Sequence, residues 1–154
     1  MSAADVTLDF ATFFDIYMRP TAGRMLNRDG IEFRYAAAAV LIACSKADMD
    51  EDPMEKQVIR SILNETFKIS EKTIDRLISM ADAASEGEYL DQVTSLIRQQ
   101  FSERDKRFLL EKLWRVAYAD GRIDRYEEEF IDRVAREIDM TNEDVTVARA
   151  LAGN

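Results

Sequence analysis

The strongest constraint on how this chain can fold is a string that it carries twice. Ala119-Asp120-Gly121-Arg122-Ile123-Asp124-Arg125-Tyr126-Glu127 is echoed 72 residues earlier by Ala47-Asp48-Met49-Asp50-Glu51-Asp52-Pro53-Met54-Glu55, with Ala, Asp, Asp and Glu in the same places. Extended over residues 47–66 and 119–138, the frame keeps six of twenty positions identical, among them Ile59/Ile131 and Glu65/Glu137. One residue then drops out of the later copy, and Phe67, Ile69, Ser70 and Ile74 meet Ile138, Met140, Thr141 and Val145. The repeat is longer than the usual solenoid unit, and two copies imply one pseudo-symmetric domain instead of an array.

Each copy reads as helix, acidic turn, helix. Residues 31–47 form one helix, and its stretch Tyr35–Ala43 is apolar nearly all round, as a central buried helix requires. Asp52 then stands as N-cap, Pro53 at the first helical position and Glu55 at the third, opening a helix to Thr66 that buries Val58, Ile59, Ile62 and Leu63. Ser70 caps the next helix, through Ile74, Leu77 and Ile78 to Ala84, and Glu86-Gly87 breaks it. Residues 89–101 form another, with Leu90, Val93, Ile97 and Phe101 on one face.

Ser102 caps a helix through Leu109, Leu113 and Val116 to Ala119, and Gly121 ends it near C′. Asp124, with Glu127 three residues on, starts a helix whose stripe is Phe130, Ile131, Val134, Ala135 and Ile138. Thr141 caps a last helix ending near Ala152-Gly153. Ahead of all this, Phe10, Phe13, Phe14 and Tyr17 mark an amphipathic helix over residues 7–19, expected to pack on the core and ended by Pro20. The polar segment 21–30 reads as a loop.

The expected fold class is all-α, a single compact helical domain of about eight helices with a pseudo-two-fold duplicated helix-turn-helix core. Residues 1–30 supply an N-terminal helix and loop, and residues 31–154 the helical domain. Five Gly and two Pro in 154 residues fit long helices better than a turn-rich β fold.

Composition removes much chemistry. With no His there is no Ser-His-Asp triad, no Cys-His pair and no imidazole ligand. One Cys permits neither an intramolecular disulfide nor a thiolate metal site, and Cys44 lies in an apolar run, where it is expected buried and inert. A net charge of −9 without a basic cluster argues against nucleic acid. No apolar run is long enough to span a bilayer, and the N-terminus shows no secretory pattern, so a cytoplasmic location is expected.

The acidic turns are the candidate site. Asp124 and Glu127 are partly explained as a helix start, and Glu128 and Glu129 as a solvated first turn favoured by the helix dipole. Asp48 and Asp120 resist that explanation. Each falls at a helix C-terminus, where the dipole disfavours an anion by roughly 0.3–1 kcal/mol. Three carboxylates around one tight turn call for a cation among them. That cation is either a basic side chain (Lys46, Arg115, Arg122 or Arg125) or a hard ion such as Ca²⁺, Mg²⁺ or Mn²⁺. The turn is not an EF-hand. Asp48, Asp50 and Asp52 match loop positions one, three and five, but Pro53 and Ile59 stand where Gly and Glu are needed, and the later copy has Arg122 at position three.

The string Leu113-Trp114-Arg115-Val116-Ala117-Tyr118-Ala119-Asp120-Gly121-Arg122-Ile123-Asp124-Arg125-Tyr126-Glu127, with its upstream twin, resembles the TerB-like family of tellurite resistance, related also to the N-terminal domain of the DjlA co-chaperones. The resemblance covers residues 31–151, and the first copy departs from it at Met49 and Glu51. It implies an all-helical pseudo-symmetric domain in a bacterial cytoplasmic protein of stress or tellurite resistance. It also implies divalent-cation binding through Asp48, Asp52, Glu55, Asp120, Asp124 and Glu127.

Together these readings make the chain a non-enzymatic acidic module that takes a divalent cation and a protein partner, without nucleic acid or membrane insertion. The alternative is a protein-binding, co-chaperone-like scaffold whose acidic turns are only caps. A metal-assisted hydrolase ranks third, since no nucleophile, base or phosphate cradle accompanies the carboxylates.

Overall fold

A computed structural model describes residues 10–17, 30–46, 53–83, 86–119, 121 and 123–153. Within them the chain is all-helical and carries no strand. Eight α-helices follow in order: α1 (Phe10–Tyr17), α2 (Ile31–Lys46), α3 (Pro53–Ser61), α4 (Glu71–Ala83), α5 (Glu86–Gln100), α6 (Glu103–Ala117), α7 (Arg125–Glu137) and α8 (Asn142–Ala152). A π turn, Ile62–Thr66, continues α3. The polar segment 21–29, the first acidic turn with Asp48 and the Asp52 cap, and Asp120 and Arg122 lie outside the described residues.

The core forms around α2, which packs against α1 and every helix from α3 to α7. Ala36 to Cys44 are all buried. Four consecutive alanines let neighbouring backbones approach on all sides, as the apolar run predicted. Cys44 is a buried free thiol. Phe33 stacks on Phe101 with ring centroids 4.4 Å apart, and Phe67 meets Phe108 edge-on at 6.0 Å. Phe33 also meets Phe67 at 6.4 Å, so these rings tie α2 to the ends of α3 and α5, and the end of α3 in turn to α6, with stacked and edge-on pairs each adding about 0.5–1.5 kcal/mol beyond their burial. The N-terminal helix packs on this core: Phe13 and Phe14 are buried, and Phe13 stacks on Tyr35 at 5.5 Å.

Caps fall where their residues predict. Ser70 and Ser102 hydroxyls accept from the Thr73 and Asp105 N–H groups. Thr141 and Asp144 form a full capping box. Two expectations are corrected. Glu86 and Gly87 do not act as a break but open α5. In a first turn, negative charge is favoured, and the N–H groups have no intrahelical partner for glycine to weaken. Gly121 is not at C′ either: α6 ends at Ala117 with Tyr118 as C-cap, and Gly121 lies three residues beyond that cap.

The ends of α3 and α7 share one plan that differs by one residue. After α7, Asp139 has φ 64°, the Asp139 N–H donates to Arg136 and the Met140 N–H to Ala135, a Schellman ending. After α3, Lys68 has φ 57°, and the equivalent Ile69 N–H reaches back one residue further, to the Leu63 carbonyl. The additional residue is absorbed by the π turn, where the Phe67 N–H donates to the Ile62 carbonyl at 3.2 Å.

Candidate functional site

The later acidic turn joins α6 to α7. The Tyr118 N–H closes the last turn of α6 on the Trp114 carbonyl, and the Gly121 N–H donates to the Tyr118 carbonyl at 2.9 Å. Gly121 has φ +85°, a conformation that L side chains rarely adopt. Asp124 then caps α7, its Oδ1 accepting the Tyr126 N–H at 2.7 Å. Capping does not exhaust the group, since a carboxylate offers about four lone-pair sites.

Glu127 is where the structure adds most. It is 1% exposed, and it stands three and four residues before the buried Phe130 and Ile131, on the inward face of α7. A carboxylate taken from water costs several kcal/mol unless hydrogen bonds, a cation or a proton compensate it. Of the six acidic residues singled out from the sequence, Asp124 and Glu127 are therefore placed together at the start of α7. Glu55 has its backbone in the first turn of α3, while its side chain and all of Asp48, Asp52 and Asp120 lie outside the described residues. Among the described residues no group of three or more His, Cys, Asp or Glu stands ready to hold a metal.

Three of the four basic side chains named as possible neutralising groups have acidic partners of their own within the described part, and the fourth, Arg122, lies outside it. Lys46 pairs with Asp82 on α4, Arg115 with Glu111 at 3.7 Å, and Arg125 with Glu129 at 3.3 Å. Glu128, expected as part of a solvated face, instead pairs with Arg149 of α8 at 3.2 Å. Arg149 also donates to the Tyr118 hydroxyl at 3.1 Å and lies 4.7 Å above the Trp114 ring. The Tyr118 hydrogen bond, opposed by partial burial and aided by Glu128, raises the already high guanidinium pKa. One arginine on α8 thus grips both helices that flank the turn.

No helix among the described residues is long and apolar enough to cross a membrane. The search of curated proteins gives no match, and neither does that of solved structures. A family model, tellurite resistance protein TerB, matches residues 34–150, which runs from within α2 to within α8 and takes in both acidic turns. Together with the all-helical fold and the paired acidic strings, this match establishes that the chain belongs to the TerB family of tellurite resistance proteins.

Proposed function

We propose that this chain is a non-enzymatic, cytoplasmic TerB-type module whose turn Ala119–Glu127 holds a divalent cation and which docks a protein partner in a stress or tellurite-resistance assembly. Asp120, Asp124 and Glu127 would supply the ligands, and Asp48, Asp52 and Glu55 would do so in the earlier turn. The observation that carries this reading is the burial of Glu127 beside the Asp124 cap. A site of carboxylate oxygens suits Ca²⁺, Mg²⁺ or Mn²⁺. Direct reduction of an oxyanion has no support in the residues: there is no thiol pair, and the net charge of −9 repels anions.

A second reading is favoured by the Asp124–Tyr126 bond: the turns are helix caps on a protein-binding scaffold. Asp124→Asn separates the two, because Asn caps a helix about as well as Asp but is a weaker cation ligand. The test is a thermal melt of chelated protein titrated with Ca²⁺, Mg²⁺ and Mn²⁺. A native-state ligand stabilises by about 2.7 kcal/mol at a hundredfold excess over its dissociation constant. A saturable, ion-selective rise that Asp124→Asn and Glu127→Gln both remove supports the cation site. No rise, or one that any salt reproduces, leaves the scaffold.

A further inference from the structure

A groove of about 430 Å³ lies between α3 with its π turn on one side and α6 on the other, ending at Ala152 of α8. Its size falls in the range of small-molecule sites. The near wall is apolar through Val58 and Ile62 and carries the Thr66 hydroxyl, while the far wall presents Lys112 and Arg115, three residues apart on α6. Glu65 is the one carboxylate among the lining residues, so the groove has a formal charge of +1 (two cations less one anion) in a chain of −9.

The two cations are loosely held. Lys112 lies over the Phe108 ring at 4.9 Å and has no ion pair among the described residues, and the Arg115–Glu111 pair is long at 3.7 Å. The near wall is itself unusual. Ile62, Glu65 and Thr66 all belong to the π turn, the place where this helix carries one residue more than the corresponding end of α7. Single π turns in helices are frequently found at functional sites.

We propose that this groove binds a small organic anion with an apolar body, its charged head between Lys112 and Arg115 and its body against Ile62 and Val58. The groove borders the acidic turn at Tyr118 and Ala119, but its charged head group would be held by Lys112 and Arg115 of α6, not by the carboxylates of the turn.

The test uses the full chain and three probes: 8-anilinonaphthalene-1-sulfonate, which has head and body; N-phenyl-1-naphthylamine, which has the body alone; and inorganic phosphate, which has the head alone. Probe emission is one readout. Trp114 is a second, because its ring packs 6.3 Å from that of Tyr118, which lines the groove. The sulfonate should bind saturably, one per chain, and the double variant Lys112→Gln/Arg115→Gln should weaken it by at least about tenfold, the loss expected of charge-assisted hydrogen bonds. Glu65→Gln should tighten it. The neutral amine should bind weakly and ignore both changes, and phosphate should compete only at far higher concentration. Should the double variant melt below the parent protein, the exposed Ser61→Phe, which fills the groove, must also block the sulfonate. Equal binding of sulfonate and amine, or a sulfonate affinity that neither variant moves, overturns the proposal.

Discussion

Gly121 is the position at which the geometry of the acidic turn can be tested with one methyl group. Its φ of +85° lies where an L residue is strained, and a Cβ built there meets nothing within 4 Å among the described residues. The cost of Gly121→Ala is therefore conformational and not steric. Holding an L residue in the left-handed region costs about 1–2 kcal/mol, and the reduced freedom of the unfolded chain returns about 0.4–1 kcal/mol of that. The net loss should be about 1 kcal/mol, or about 2–4 °C in a chain of this length. Gly121→Asn should cost less, because Asn tolerates the left-handed region. Urea unfolding of the three proteins checks this, with an unchanged slope showing that only the native turn is affected. An alanine variant as stable as the parent would mean that the turn does not require a positive φ. A loss above about 3 kcal/mol would mean that the space around Gly121 is not open, because conformational strain alone does not reach that figure.

Three further perturbations probe the scaffold. Hydrogen bonds from the Thr141 backbone and hydroxyl, more than the Arg107 guanidinium 3.4 Å away, hold the Asp144 carboxyl below its ordinary pKa of 3.8. Its stabilisation is thus fully present above about pH 4 and is lost as pH falls through the lower folded value, so acid melts of Asp144→Asn should lose less stability over that window than the parent does. Ala38→Leu, at a site with no exposure inside α2, should cost about 1–3 kcal/mol or more by overpacking, read in the same urea series. Deleting Glu65 should be far milder than deleting Arg136. The first removes the additional residue of the π turn, whereas the second rotates the end of α7 by about 100° and misdirects Ile138; equal losses in paired melts would refute that view of the π turn.

The helices were legible because burial follows spacing. Ala36–Cys44 announced α2 as central by having no polar face, and the α7 stripe from Phe130 to Ile138 is buried as its period requires. Caps were legible wherever the partner is three residues away, as at Ser102 and Thr141. Glu86-Gly87 misled because the same two residues that discourage a helix interior are tolerated at its first turn. The additional residue in the earlier frame was visible, but sequence alone does not say whether a helix discards it in a loop or absorbs it as a π turn. At the site, the inward placement of Glu127 was implicit in its distance from Phe130 and Ile131, and its reading as a capping residue obscured that. The bond between Glu128 and Arg149, and the groove that brings Lys112 opposite Ile62, join residues 21 and 50 positions apart. No local period encodes such meetings.

Arg149 gives the last test, because it reaches the turn without belonging to it. Its guanidinium touches Trp114 and Tyr118 at the end of α6 and Glu128 at the start of α7, so it fixes the spacing of the two helices between which Asp120 and Asp124 lie. An ion that binds a pre-set turn spends less of its binding energy on ordering the chain. Arg149→Gln removes the grip and no ligand. The ion pair is partly exposed, at 42% and 44% of the two side chains, so its own share is small after solvent screening. Stacking on Trp114 contributes about 0.5–1 kcal/mol more, and the apo protein should lose about 1 kcal/mol in total. If the turn holds a cation, the ion-dependent rise of the melting midpoint should shrink by more than the apo loss predicts, and Trp114 emission should shift as its cationic neighbour leaves. If the two shifts were equal, Arg149 would be a tie between helices and nothing more, and the spacing of α6 and α7 would have no bearing on what the acidic turn binds.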